Sequence, residues 1–154
     1  MTNIRTRTAT AALALAASAL LGAGSVALAA PATAAPAVVH TAAPSVGELQ
    51  AKLQLVLNTG AGRGARAAEL EGGEADLATI DKITGVISSV PSFAWYVTGP
   101  VNVSGDTLTA NLQTTVSGYA PFPLIEVSWR QVGGSWKLTS ESVCTVGYYA
   151  SVSC

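Results

Sequence analysis

From Val46 onward the hydrophobic positions follow two periods in succession. Val46, Leu49, Leu53, Val56 and Leu57 recur at three- and four-residue intervals, the spacing that gathers side chains on one face of a helix. Ser45 precedes this run and Glu48 follows it by three residues, which forms a capping box and fixes the helix start. Asn58 and Gly60 close it. Leu77, Ile80, Ile83 and Ile87 repeat the helical spacing and predict a second helix over 75–89, with Glu74, Asp76 and Asp81 near its N-terminus, where the helix field favours anions. Between the two lies a Gly-rich loop with one helical turn expected at 65–70.

At Pro91 the period changes to two. Phe93, Trp95 and Val97 alternate with polar or small neighbours, and Val101 and Val103 continue after Gly99-Pro100. Proline cannot donate to a central ladder, so that dipeptide predicts a bulge or an unpaired stretch of an edge strand. Leu108, Ala110, Leu112, Thr114 and Val116 form the second alternating run, and Ile125, Val127 and Trp129 the third. Gly133-Gly134 predicts a tight hairpin into a fourth strand, SWKLTSESV over 135–143, with Trp136 and Leu138 inward. Four consecutive strands with short links make an antiparallel meander whose apolar face needs a helical layer. The expected fold is α+β: two to three N-terminal helices packed on a curved four-stranded antiparallel sheet.

The segment before this domain has a different character. Arg5 and Arg7 precede an Ala/Leu-rich run from Ala9 to Leu28, and Ala27-Leu28-Ala29 and Ala32-Thr33-Ala34 offer small-residue cleavage sites. That is the pattern of a secretory signal peptide, assigned to 1–34, and it predicts a secreted protein with no stable membrane span after cleavage. Residues 35–44, APAVVHTAAP, read as a flexible Pro/Ala leader, which leaves 45–154 as a single domain. Two of the 8 Lys and Arg residues fall in the signal, so six bases face nine acids beyond it, a net charge of −3. No basic stripe remains, which excludes an electrostatic nucleic-acid footprint and a polybasic membrane-surface site.

Candidate chemistry is sparse. His40 is the only histidine and lies in the leader, without partners for a nucleophile–base arrangement or a zinc site. GAGRG at 60–64 lacks the spacing and the preceding strand of a dinucleotide loop. Glu126 and Glu141 fall on the parity opposite the apolar positions of their predicted strands, so no carboxylate pair is directed inward. The expectation is a non-catalytic protein with no metal and no cofactor. Its role would be that of an extracellular or envelope interaction protein with an unknown protein partner, or, as the alternative, a carrier of a small apolar ligand. The aromatic residues lie in the C-terminal half; on such a sheet they read first as core, and Trp95, Trp129 and Trp136 are the candidate lining should an apolar pocket lie under the helices. Tyr148 and Tyr149, read as neighbours in a short strand with opposite facings, are candidate partner contacts.

The order of these motifs resembles the actinobacterial and mycobacterial low-molecular-weight secreted antigen family. The likeness rests on the helix SVGELQAKLQLVLN, Glu71-Gly72-Gly73, Pro91-Ser92-Phe93 and Gly133-Gly134-Ser135-Trp136-Lys137-Leu138, and covers residues 43–143. The resemblance implies a cystatin-like or nuclear-transport-factor-like (NTF2-like) cone and an exported antigen with no assigned reaction or catalytic residue. Family members run into a short helical tail, from which the ending TVGYYASVSC departs.

That ending holds the only two cysteines, Cys144 and Cys154. Export permits a disulfide, and the nine residues between them are enough to turn back at Gly147. A disulfide-closed terminal loop is expected, with free thiols or an intermolecular link as the alternatives.

Overall fold

A computed structural model describes residues 42–154. The signal segment and the leader up to residue 41, His40 included, lie outside the described residues. Helix α1 spans Val46–Leu57, α2 Arg63–Ala68 and α3 Glu74–Ser88. Strands β1 (Phe93–Ser104), β2 (Thr107–Val116), β3 (Ile125–Val132) and β4 (Ser135–Leu138) form one antiparallel sheet in the order β1-β2-β3-β4. A fourth helix, α4, spans Ser140–Tyr149. The architecture is α+β, with three helices N-terminal to an open four-stranded sheet, an arrangement compatible with the cone that the resemblance implies.

Helix α1 begins as its sequence dictates. The Glu48 backbone N–H donates to Ser45 Oγ at 3.3 Å, and the Ser45 N–H returns a bond to Glu48 Oε2 at 2.7 Å. The backbone and hydroxyl bonds from Ser45 hold the Glu48 carboxyl below its ordinary range, because they favour its ionised form. At α3 the entry is Gly73, with φ of 57°, a left-handed conformation that glycine adopts without steric cost. Gly133 and Gly134, with φ of 59° and 80°, make the hairpin between β3 and β4 for the same reason.

The sheet's inner face follows the predicted parity. Leu108 pairs with Trp129, Ala110 with Val127 and Leu112 with Ile125, and all six are buried. Leu49, Leu53 and Val56 of α1 and Leu77, Ile80 and Ile83 of α3 cover that face and complete the core. Strand β1 breaks register between Thr98 and Asn102, at the cis Gly99-Pro100 peptide, so the expected bulge is present. The Val97 N–H, on this edge strand, donates to Gln50 Oε1 of α1 at 2.6 Å, which ties the helical layer to the sheet edge.

One side-chain system and one backbone bridge pin the helices. Buried Arg66 donates from Nε to the Val56 carbonyl at 2.8 Å and from Nη2 to Asp81 Oδ1 at 2.6 Å, so one guanidinium joins α1, α2 and α3. Burial alone would raise the Asp81 carboxyl, but the hydrogen bonds from Arg66 and Arg63 outweigh it and hold it below the ordinary aspartate range. At the other end of α3, Leu138 and Leu70 form a parallel bridge, with the Leu138 N–H on the Glu69 carbonyl at 2.8 Å.

One expectation is corrected. The fourth strand does not run to 143; it stops at Leu138, and residues 140–149 are helical. Thr139 is the N-cap, its hydroxyl accepting from the Ser142 N–H at 3.2 Å. Val143, Val146 and Ala150 then fall at helical spacing and pack against the core. The ending, expected to depart from a helical tail, is therefore helical through Tyr149. The β-branched and aromatic content of SVCTVGYY favours a strand locally, and the cap together with burial of one helical face overrides that preference.

Candidate functional site

The helical layer does not cover the whole inner face. Where β1 begins and β2 ends, Phe93 pairs with Val116 and Trp95 with Thr114, and these four side chains are only half-buried. Above them the last turns of α3 and α4 and the connection 117–124 enclose an apolar groove of about 670 Å³. Its floor is set by buried Ile83 and Ile125, and its rim by exposed Val86, Val90, Tyr119, Phe122 and Tyr149. Among the described residues, its only side-chain polar groups are the hydroxyls of Thr114, Tyr119 and Tyr149, and no charged side chain lines it. A narrow cleft of about 50 Å³ shares Ile83, Ile87, Phe93, Thr114 and Val146 with the groove and extends to Leu53, Leu138 and Val143 in the core.

Local structure explains each wall. The 117–124 connection folds back over β2 because the Phe122 N–H donates to the Thr114 carbonyl at 3.3 Å and Gln113 Nε2 donates to the Phe122 carbonyl at 2.7 Å. The Ser117 N–H on Ser92 Oγ, at 3.2 Å, fixes its other end to the start of β1. On the far wall, α4 is anchored at its first turn. Ser128, Thr139 and Ser142 share a cluster of hydroxyl hydrogen bonds at 2.7–3.0 Å. Asp76 accepts from Ser140 Oγ at 2.8 Å, and Glu71 accepts from Arg130 Nη1 at 2.6 Å. These carboxylates and hydroxyls serve the start of α4, where orphan N–H groups seek acceptors. They do not converge on a cavity.

The last turn of α4 is held by the disulfide. Cys144 and Cys154 are bonded, with Cα atoms 5.6 Å apart. The bond closes the terminal segment over Gly147, whose carbonyl accepts from the Val152 N–H at 2.8 Å. A Cβ at Gly147 would stand 3.0 Å from the Val152 carbonyl oxygen, so any larger residue there would have to push the returning segment back. Tyr149 and Ala150 of the groove wall lie inside this closed loop. The loop is thus a helix's last turn and its return, where the sequence predicts a loop turning back from the end of a strand.

The candidate residues separate on the structure. Trp129 and Trp136 are 1% and 5% exposed and are packed into the core; neither lines the groove or its cleft. Trp95 alone of the three borders the cleft. Tyr148 and Tyr149 are not on opposite faces of a strand. They sit side by side at the end of α4, 79% and 59% exposed, with ring centroids 5.8 Å apart in an edge-to-face contact. Only Tyr149 reaches the groove. The residues that define the groove but that the sequence alone does not assign to a pocket are Val146 and the α3 set Val86, Ile87 and Val90, together with Phe122 of the connection. Their signal was an apolar helical stripe running to the end of α3, next to an aromatic, proline-rich connection. Among the described residues, no group of three or more His, Cys, Asp or Glu side chains could hold a metal ion. No described helix is long and apolar enough to cross a membrane.

Compared with known proteins, the chain matches the family model described as low molecular weight antigen MTB12, C-terminal domain, over residues 42–154. No curated protein matches it.

Proposed function

The chain belongs to the low molecular weight antigen MTB12 family through its C-terminal domain, and on that premise we propose that it is an exported, non-catalytic binding protein that carries a small apolar ligand. The observation that carries this reading is the groove of about 670 Å³ between the ends of α3 and α4. That volume lies within the ~300–1,000 Å³ of small-molecule sites, which are concave, mostly apolar and furnished with few polar groups. The signal-like N-terminus and the Cys144–Cys154 bond support an extracellular or envelope location. The hydroxyl cluster of Ser128, Thr139 and Ser142 has no base beside it, since its hydrogen bonds go to one another and to backbone N–H groups. That supports the non-catalytic reading.

Native mass spectrometry of the protein purified from its own culture supernatant tests the proposal. A co-purifying mass of lipid size is the expected result. Repeated recovery of bare protein, or of protein bound to a second polypeptide, would favour an interaction protein over a carrier.

A further inference from the structure

We infer that the ligand of this groove is an uncharged, single-chain amphiphile, a neutral acyl ester or alcohol in preference to a fatty-acid anion; the inference rests on the carrier reading above. Three observations define the class. The first is shape. A groove of about 670 Å³ shares five lining residues with a cleft of about 50 Å³ that reaches Leu53 and Leu138. A shared apolar lining of that kind suits a flexible methylene chain.

The second is the lining. Ile83, Ile87, Val116 and Ile125 are saturated aliphatic groups, and Phe93 and Phe122 add aromatic faces. Such surface takes up an alkyl chain by the area it removes from water. The third is charge. Among the described residues, no acidic or basic side chain lines the groove or the cleft. Lys82, one turn before Val86 on α3, is outside both linings, and Arg63 and Arg66 are engaged with Glu74 and Asp81. The polar groups at the rim are the phenols of Tyr119 and Tyr149, which can donate to and accept from an ester or hydroxyl headgroup. A carboxylate drawn into this rim would lose water without gaining a cation, and acids outnumber bases beyond the signal, which adds long-range repulsion.

Calorimetric titration of the secreted chain at pH 8 with 1-monolauroylglycerol and with sodium laurate, both below their micellar concentrations, reads the preference directly. The neutral ester should bind about tenfold tighter or better, a difference of about 1.4 kcal/mol. Phe122→Glu, at an exposed rim position, and Ala150→Trp, which fills the groove wall, should each remove ester binding while leaving the circular dichroism unchanged. Equal or tighter binding of laurate would overturn the neutral-headgroup inference and leave the carrier reading standing. Binding of neither probe would overturn both. A concentration-dependent dimer in sedimentation that Phe122→Glu makes monomeric would also overturn them, by showing that a second copy of the chain occupies the groove.

Discussion

The two ends of the sheet's inner face are built from the same residue types and have opposite fates. At the β3–β4 end, Trp129, Trp136 and Leu138 are sealed beneath the helical layer, and the Leu70–Leu138 bridge closes the edge. At the end where β1 starts and β2 finishes, Phe93, Trp95 and Val116 face the same way and stay half-exposed. Hydrophobicity does not separate the two ends; the supply of covering backbone does. The 69–71 segment pairs with Leu138 at the first end, and α4 packs on β3. Over the second, α3 and α4 finish, and only the 117–124 connection spans the gap. A sheet longer than its helical cover leaves apolar surface at one end, and surface of that kind commonly marks a binding site.

The packed end should fail first under mutation. Trp129→Ala removes the largest fully buried side chain, and truncating a core Trp costs about 3–5 kcal/mol. In urea its midpoint should fall well below wild type. A loss under 1 kcal/mol would mean that this end is as loosely packed as the groove, and the contrast would be lost.

Next comes the guanidinium that fixes the helical layer. Asp81→Asn leaves Arg66 buried without its carboxylate, at a cost of about 3 kcal/mol, the lower end of the range for breaking a buried pair, since Asp81 keeps access to water. The pH dependence has a definite sign. The Asp81 carboxyl is lowered in the folded state, so its contribution is complete above the ordinary aspartate range of about 3.9 and is lost as pH falls through the lowered folded value. The stability gap between wild type and Asp81→Asn should therefore be full at pH 6 and shrink in acid below pH 4. A gap that widens in acid would contradict the assignment.

How far each end could be read from the sequence follows from the same contrast. The packed end was legible because alternation in β2 and β3 and helical spacing in α1 and α3 each place a complete apolar face inward, and every face finds a partner. The capping box of Ser45 and Glu48 fixed a helix start to the residue. The open end was harder to read for two physical reasons. Its second wall is α4, whose Val, Thr and Tyr content suits a strand, and whose cap, Thr139, reads as part of the alternating run SWKLT. The groove is also a property of missing cover, and periodicity registers which way a side chain points but not whether anything lies above it. The three tryptophans read as candidate pocket lining, yet large apolar side chains favour burial: Trp129 and Trp136 fill the core, and Trp95 alone stands at the cleft. Arg66 carried no sequence signal, because a basic residue in a Gly/Ala loop ordinarily faces solvent.

The disulfide tests whether the open end is held separately from the core. Its loop has a sequence separation of 10, for which the chain-entropy model gives about 2.7 kcal/mol, with a debated mechanism. The double variant Cys144→Ala/Cys154→Ala should lose up to about that amount. Its damage should be local, because the bond restrains Tyr149 and Ala150 of the groove wall and none of the residues around Trp129. Hydrogen exchange should accelerate over 147–154 and remain slow in β3. Equal acceleration in both would show that the ends unfold as one unit.

The smallest effect on stability belongs to the rim. Phe122 and Tyr149 are exposed and outside the core, so Phe122→Ala and Tyr149→Ala should each stay within about 0.5 kcal/mol of wild type, as surface substitutions do. Tyr148→Ala is the matched control, more exposed still and absent from the groove lining. If the open end exists to bind, the first two variants should release an apolar probe several-fold more readily and the control should not, although all three melt with the wild type. If it is only an unfinished core, all three should leave probe binding alike. An end of the sheet that costs nothing to trim and still loses its ligand is a site, and the packed end, where trimming costs stability, supplies the standard against which that is judged.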